Sequence, residues 1–525
     1  MIVRDAHQNG LGRIEVKTLL LPDGVQPVSA TYTHSGTVLL AYRTGGDPVD
    51  ADYQNIAVLN DDGAGFRNIF SGVIRQHPKA NGIRYMVFAD NKRILLGDYI
   101  LECFPNIDSC EAAKLVPVEY PQELVDDPAA IKHWSEIIIA PDNEHISWTT
   151  LRSDIEAAVL VGRLLRREDC YTIARTQIIS ALEFMKPDPR RPGFLIPQVI
   201  RGGEVKQFVR GGTAISMAGA AKDSRLTDSV AQDLCSEEIQ RITNTPGYDE
   251  TTIFSPDERL GLVMSTRASP RTDPAVFGLL PRPPWAVQGL IMCFYMYAVA
   301  GVRGFRRGNI GPVLIDIERS RHDEDYRGTA LNDPEEEWVY YSPMSWHPSS
   351  KKTMWNEGLR GTGKMRIRIA ELPEYVPGSP DRVRETPDHI PYAESDISRL
   401  QASGGRPASG KIAGGHSGHI EYRRGKEGAA DSTELVYVNF SDDGKRFYRG
   451  REKSVSAVFA ESVYEADLAM SGAETGEMKL RAAFSRMSWT EPPKLLFEKA
   501  GDGKPKSYGY ASYKGVTLRV EDMRE

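Results

Sequence analysis

Residues 251–267 read TTIFSPDERLGLVMSTR. A short apolar run meets a Ser-Pro-Asp turn at 255–257, and a second apolar run follows it. Proline presets the backbone of a tight turn, aspartate bonds back to it, and flanks rich in Ile, Val and Thr suit strands. The stretch therefore predicts a β-hairpin. The same grammar returns as VYVNFSDDGKRFYRG at 436–450, APDNEHISWTT at 140–150 and SWHPSSKKTMWNE at 345–357. Weaker echoes are FADNKRILLGDY at 88–99 and YTHSGTVLLAYR at 32–43.

Several copies are followed by more strand-like sequence, such as YQNIAVLNDDG with GFRNIFSG at 53–72, or MRIRIAEL at 365–372. Two hairpins make a four-stranded unit, and such units arranged around an axis bury faces that none can bury alone. Turns centre near 35, 90, 142, 256, 349 and 443, at steps of about fifty residues or about twice that. The double step from 142 to 256 predicts a degenerate unit at QVIRGGEVKQFVRGGTAISMAG, 198–219. The expectation is an all-β chain: a single β-propeller over 1–525 with about seven four-stranded blades, eight being the alternative. Residues 281–311 form an apolar helical insertion in that reading, and the Pro/Gly-rich 376–415 a linker between blades. The C-terminal SYKGVTLRVEDM, 512–523, is expected to close the ring beside the N-terminal strands.

Phe254-Ser255-Pro256-Asp257 and Phe440-Ser441-Asp442-Asp443-Gly444-Lys445 resemble the TolB-type propeller repeat. Its core is a Ser-Pro-Asp-Gly turn after an aromatic residue and before a basic residue and an apolar strand. Trp346-His347-Pro348 keeps the aromatic and the proline but has His for Ser. The resemblance implies a propeller and is nearly silent on activity, because such propellers serve as scaffolds, peptidase accessories and enzymes alike.

Lys plus Arg number 65 against 72 for Asp plus Glu, a net charge of −7, with the signs interspersed. No basic stripe tracks a phosphate backbone, so nucleic acid is not an expected partner. Five cysteines, at 103, 110, 170, 235 and 293, offer no CxxC pair and no disulfide framework, although Cys103 and Cys110 bracket a short loop. The first residues lack an apolar signal core, so the chain as given reads as cytoplasmic, with a trimmed secretory precursor kept open. Trp285–Val302 approaches the length of a membrane span, but Gln288, two glycines and flanking strands favour a buried or lid-forming helix.

Innermost propeller strands run along a central channel, so residues at or near those strands are the site candidates. His347 is the first candidate catalytic group, because it replaces serine in an otherwise recognisable turn. His133, His416 and Tyr341 are its possible companions as acid/base groups. Arg84 and Glu250, beside first strands, are candidate substrate contacts. So are Trp285, Tyr295 and Arg303 of the insertion, where aromatic and basic residues mix. Against each stands the plainer reading of a turn, core or surface residue. His416 and His419 form a His-x-x-His pair, and Arg321-His322-Asp323-Glu324-Asp325 could be read as a metal cluster, although a solvated loop suits it better. No Walker loop, dinucleotide fingerprint or HExxH helix occurs, which argues against a nucleotide or nicotinamide cofactor; a divalent metal stays open.

Two function classes fit. One is an enzyme of lyase, hydrolase or isomerase type acting on a sugar or other small organic substrate at the channel mouth. The other is a non-catalytic TolB-like scaffold or ligand-binding protein. The insertion and the histidines near strands favour the first.

Overall fold

In this computed structural model the structure describes residues 2–75, 85–125, 132, 137–151, 157–221, 226–267, 275–287, 290–298, 310–333, 336–400, 409–457, 460–486, 488 and 491–524. The chain is dominated by strands, and two kinds of sheet divide it.

The first kind repeats. Gln26–Tyr32, Val38–Arg43, Tyr53–Leu59 and Arg67–Val73 form a four-stranded antiparallel sheet in chain order. The same meander recurs at 86–119, 137–178, 204–241 and 249–330, and with three strands at 338–371. The last unit gains Ile2–Ala6 and Gly12–Thr18 as outer strands, and the 86–119 and 137–178 units join through parallel pairing of Val118 with Tyr171. Their second strands are nearly continuous in burial, as in Leu260–Ser265 and His145–Leu151, because there each sheet is covered on both faces by its neighbours.

The turn grammar builds each first hairpin. The first turn residue donates its N–H to the carbonyl on the far side: Phe88 to Arg93 at 3.0 Å, Ala140 to His145 at 2.8 Å, Ser255 to Leu260 at 2.9 Å and His347 to Lys352 at 2.9 Å. Asn91, Asn143, Glu258 and Ser350 take the left-handed conformation at the matching position of each turn.

Among the described residues six such units contact one another in cyclic order, tied by bonds from side chain to neighbour. Tyr85 Oη donates to Gln54 (3.1 Å), and the Asp90 N–H donates to Asn143 (3.0 Å). The Val205 N–H reaches Thr149 Oγ1 (3.0 Å), and the Phe254 N–H reaches Gln207 (2.7 Å). Trp346 Nε1 donates to the Ile253 carbonyl (2.8 Å), and the Tyr32 N–H donates to Ser345 Oγ (3.0 Å), completing the circle. The expected degenerate unit at 198–219 is present as Glu204–Val209 paired with Ala214–Gly219.

The second kind of sheet corrects the expectation of one propeller through residue 525. Residues 409–519 continue a ten-stranded sheet that starts with Met185–Pro187 and Phe194–Pro197. The hairpin around Ser441, expected as a further blade, lies inside this sheet. Its strands are long and alternate in burial, as in Ser462–Gly472, so one face packs and the other meets water. Closure is corrected too. Val516–Arg519 pairs with Tyr508–Tyr513, whereas Gly12–Thr18 pairs with Met365–Glu371 and completes the last unit from the N-terminus.

The linker and the insertion also differ from expectation. Residues 375–394 form a strap across successive turns of the ring: Tyr375 Oη donates to Asp257 (2.7 Å), the Arg384 N–H to the Gly211 carbonyl (2.8 Å) and the Thr386 N–H to Asp142 (3.0 Å). Among the described residues of the insertion, 281–311, the helical pieces Pro284–Ala286 and Ile291–Met296 are short, and Ala275–Gly278 precedes them. Phe277, Trp285, Phe294 and Tyr297 are buried in the core of the ten-stranded sheet with Tyr437, Tyr464 and Phe484. Phe294 meets Phe484 edge-on at 5.4 Å. Arg282 anchors this plug. It is 2% exposed, donates from Nε to Glu452 at 2.9 Å and from NH2 to Tyr464 Oη at 2.6 Å, and bonds the Phe277 and Leu280 carbonyls.

Candidate functional site at the first strands of the ring

Glu204–Val209 and Asp249–Phe254 are neighbouring first strands, and both are irregular. The register slips between Val205 and Gln207 in one and between Asp249 and Thr252 in the other. Bulges re-aim side chains, and here they accompany a buried ionic group. Lys206, 2% exposed, stands with Nζ 2.9 Å from Glu250 Oε1 and 3.1 Å from Glu204 Oε2. Tyr248 Oη donates to Glu250 Oε2 at 3.1 Å. Burial first, then the charge of Glu250 and the nearby Tyr295 phenol, hold the Tyr248 pKa well above the ordinary phenol value. One ammonium stands between two carboxylates. The cluster offers a proton donor, two bases and a phenol within one small volume. First strands Gln26–Tyr32 and Trp338–Trp346 slip at a comparable height, between Pro27 and Ser29 and between Tyr341 and Met344.

Of the sequence candidates, Glu250 and Tyr295 belong to this neighbourhood. His347 does not. Its Nδ1 accepts the Ser349 N–H at 3.1 Å and contacts Ser349 Oγ at 2.8 Å, so the imidazole serves its own turn, whereas Ser255 Oγ accepts the Leu260 N–H across its hairpin. Its ring meets Tyr32 edge-on at 5.1 Å and packs against Gly36, whose φ of +95° and missing Cβ leave room for it. Burial, then Lys352, lower its pKa. His347 is a wedge between adjacent turns. Tyr341, 40% exposed, lies on the first strand against Gly358, while Tyr340 is fully buried. His416 sits in a turn of the ten-stranded sheet against Gly444 and Phe447, and His419 lies 3.8 Å from Glu421 in the strand after it. Trp285 is core of the plug. His133, Arg84 and Arg303 lie outside the described residues. The histidines that can be placed are thus not brought together.

Sequence reasoning missed Lys206, Glu204 and Tyr248. The signal was Glu204-Val205-Lys206 at the head of the degenerate unit: two charges at alternate positions beside an apolar run expected to be buried. It also missed His145. That imidazole is buried between Asp142 (Nδ1 to Oδ2, 2.7 Å) and Asp388 of the strap (Nε2 to Oδ1, 3.1 Å). Arg163 NH1 reaches Asp388 at 2.8 Å, and Arg175 pairs with the same carboxylate. Burial opposes a charge on His145, but the two carboxylates outweigh it and raise its pKa.

Elsewhere a polar cleft of about 750 Å³ separates the ring from the ten-stranded sheet. His322, Asp323, Glu324 and Asp325 line one side, and Lys445, Arg446 and Lys514 the other. Lys514 spans it, pairing with Glu324 and, at 2.9 Å, with Glu474. Among the described residues no group of three or more His, Cys, Asp or Glu side chains is placed to hold a metal ion. Among the same residues no helix is long and apolar enough to cross a membrane.

No protein-family model matches the sequence, and no curated protein matches it. Solved structures do resemble it. A putative TolB from Agrobacterium tumefaciens is 10% identical over 58% of this chain and 79% of its own, with a TM-score of 0.33. TolB from Acinetobacter baumannii is 10% identical over 78% and 77%, with a TM-score of 0.28. The β-propeller domain of the Trilobed protease from Pyrococcus furiosus is 8% identical over 74% and 94%, with a TM-score of 0.21. The likeness is one of fold alone, to TolB and other β-propellers.

Proposed function

We propose that the six cyclic units are the blades of a propeller enzyme whose substrate, a carbohydrate or other small polar organic molecule, meets the first strands at Lys206, Glu250 and Tyr248. The observation that carries this reading is the buried lysine held between two carboxylates at the bulges of adjacent first strands. Burying such a group is costly unless its geometry is fully served, and clusters of this kind concentrate at functional sites. In this reading Lys206 is the electrophilic or proton-donating group, Glu250 the base, and Tyr248 the phenol that sets the proton inventory of Glu250. Reaction types open to such a set are hydrolysis, elimination and isomerisation.

A second reading, a non-catalytic binding scaffold, is favoured by the completeness of the pairing: every charge in the cluster already has a partner. A panel of chromogenic glycosides, uronides, esters and lactones separates the two readings. The enzyme reading expects turnover that falls about a hundredfold or more in Glu250→Gln and Lys206→Met, with each variant folded by circular dichroism. Binding of a panel member with no turnover by the unaltered protein selects the scaffold.

A further inference from the structure

The hairpin of Tyr99–Phe104 and Ala112–Glu119 carries two cysteines at the base of its loop. Cys103 pairs across with Ala113, and the loop closes where the Glu111 N–H meets the Phe104 carbonyl at 2.7 Å. Cys110 turns inward, its Sγ 3.4 Å from the Ala112 carbonyl, so both thiols enter one buried cluster with Ile94, Leu101 and Ile107. Both lie in that one cluster at the base of the same loop, and neither is in a disulfide.

The loop they bracket is the clip between the first two units of the ring. Asp108 accepts from Ser35 (2.8 Å) and Thr37 (2.6 Å) of one turn and from Asn91 (2.6 Å) of the next. Arg67, on the outer strand of the first unit, donates to the Cys110 and Asp108 carbonyls, each at 2.5 Å. Whatever fixes this loop fixes the junction between two units.

We propose that Cys103 and Cys110 form an oxidisable dithiol, a modification site at which a peroxide closes an intramolecular disulfide and locks the clip between the first two units. The Cys110 sulfur attacks the peroxide: an S–O bond forms, the O–O bond breaks, and one water leaves with a sulfenic acid at Cys110. The Cys103 sulfur then attacks that sulfur. An S–S bond forms, the S–O bond breaks, and the oxygen leaves as a second water carrying the Cys103 proton. Two thiols are oxidised and one peroxide is reduced to two waters.

The test is a non-reducing peptide map of the full chain before and after hydrogen peroxide, with free thiols blocked under denaturing conditions. The expected result is a linked Cys103–Cys110 peptide, two hydrogens lighter, reopened by dithiothreitol. Tm is expected to rise by about 2–4 °C, as closure of a short loop implies, and the rise is expected to vanish in Cys110→Ala. Should Cys110→Ala fail to fold, the map of the unaltered chain decides by itself. Full alkylation of both cysteines after treatment, while the exposed Cys235 is oxidised, would overturn the proposal.

Discussion

The hairpins around Ser255 and Ser441 share a turn grammar and end in different architectures. The first, Asp249–Phe254 with Leu260–Ser265, is short and buried almost throughout, so it is stable only with a sheet on each side. The second, Ala430–Ser441 with Arg446–Ser456, is twice as long and alternates, with Leu435, Tyr437 and Tyr448 inward and charged residues outward. A turn motif therefore specifies a hairpin and not the hairpin's neighbours. What surrounds it is decided by whether one face or two must be covered.

The contrast breaks first at the plug, which belongs by sequence to the ring and by packing to the other sheet. Glu452→Ala removes the carboxylate that Arg282 and the Tyr437 and Tyr464 hydroxyls all engage, leaving a buried guanidinium unpaired. Denaturant unfolding is expected to lose about 3–5 kcal/mol. The double variant Arg282→Met with Glu452→Leu is expected to recover most of that loss, because no orphan charge remains. Phe277→Ala empties a site packed by Phe294, Tyr464 and Phe484 and is expected to cost a comparable amount, about 3–5 kcal/mol. A cost below about 1 kcal/mol in both would mean that the insertion does not support the ten-stranded sheet.

A smaller effect sharpens the other side of the comparison, where the strap crosses the ring. His145 has a raised pKa in the folded chain, so its contribution is full below the unfolded value of about 6.5 and fades as pH rises through the folded value. Asp142 and Asp388, whose pKa values are lowered, contribute above about 3.9 and lose that contribution as pH falls through their folded values. Tm is therefore expected to decline as pH rises above about 6.5, more steeply in the unaltered protein than in Asp388→Asn. Parallel pH profiles would remove the His145 group from the strap's anchoring. The smallest effect is expected at His347: His347→Ser retains a capping side chain and should shift stability by less than about 1 kcal/mol and leave any turnover unchanged.

The hairpins, the repeat spacing and the degenerate unit at 204–219 were legible, because turn residues and apolar runs act locally. The end of the ring was not. Residues 430–441 read ADSTELVYVNFS, where Asp431, Ser432, Thr433, Glu434 and Asn439 interrupt the apolar residues, whereas LGLVMS at 260–265 carries no charge and one polar residue; that difference marks a strand with one wet face. The destination of the insertion was illegible for another reason: an apolar segment says only that it must be covered, and a membrane, a lid contact or a distant sheet satisfies it equally. Glu250 and Tyr295 were within reach from their positions, but Lys206 was not sought, since a lysine is seldom buried without a partner. For His347 the plainer role is visible: its imidazole bonds Ser349 within the turn, a local partner that the sequence around Trp346-His347-Pro348 does not specify.

The ring closes from the N-terminus at Glu15–Glu371, and the C-terminal sheet, filled by the plug, stands apart from that closure. Hydrogen exchange read by mass spectrometry on a chain lacking residues 508–524 tests it directly. Amides of 12–18 and 365–371 should stay as protected as in the full chain, while 275–298 and 417–484 lose protection together. Loss of protection at 12–18 with the plug unchanged would contradict the division and return ring closure to the C-terminal strand.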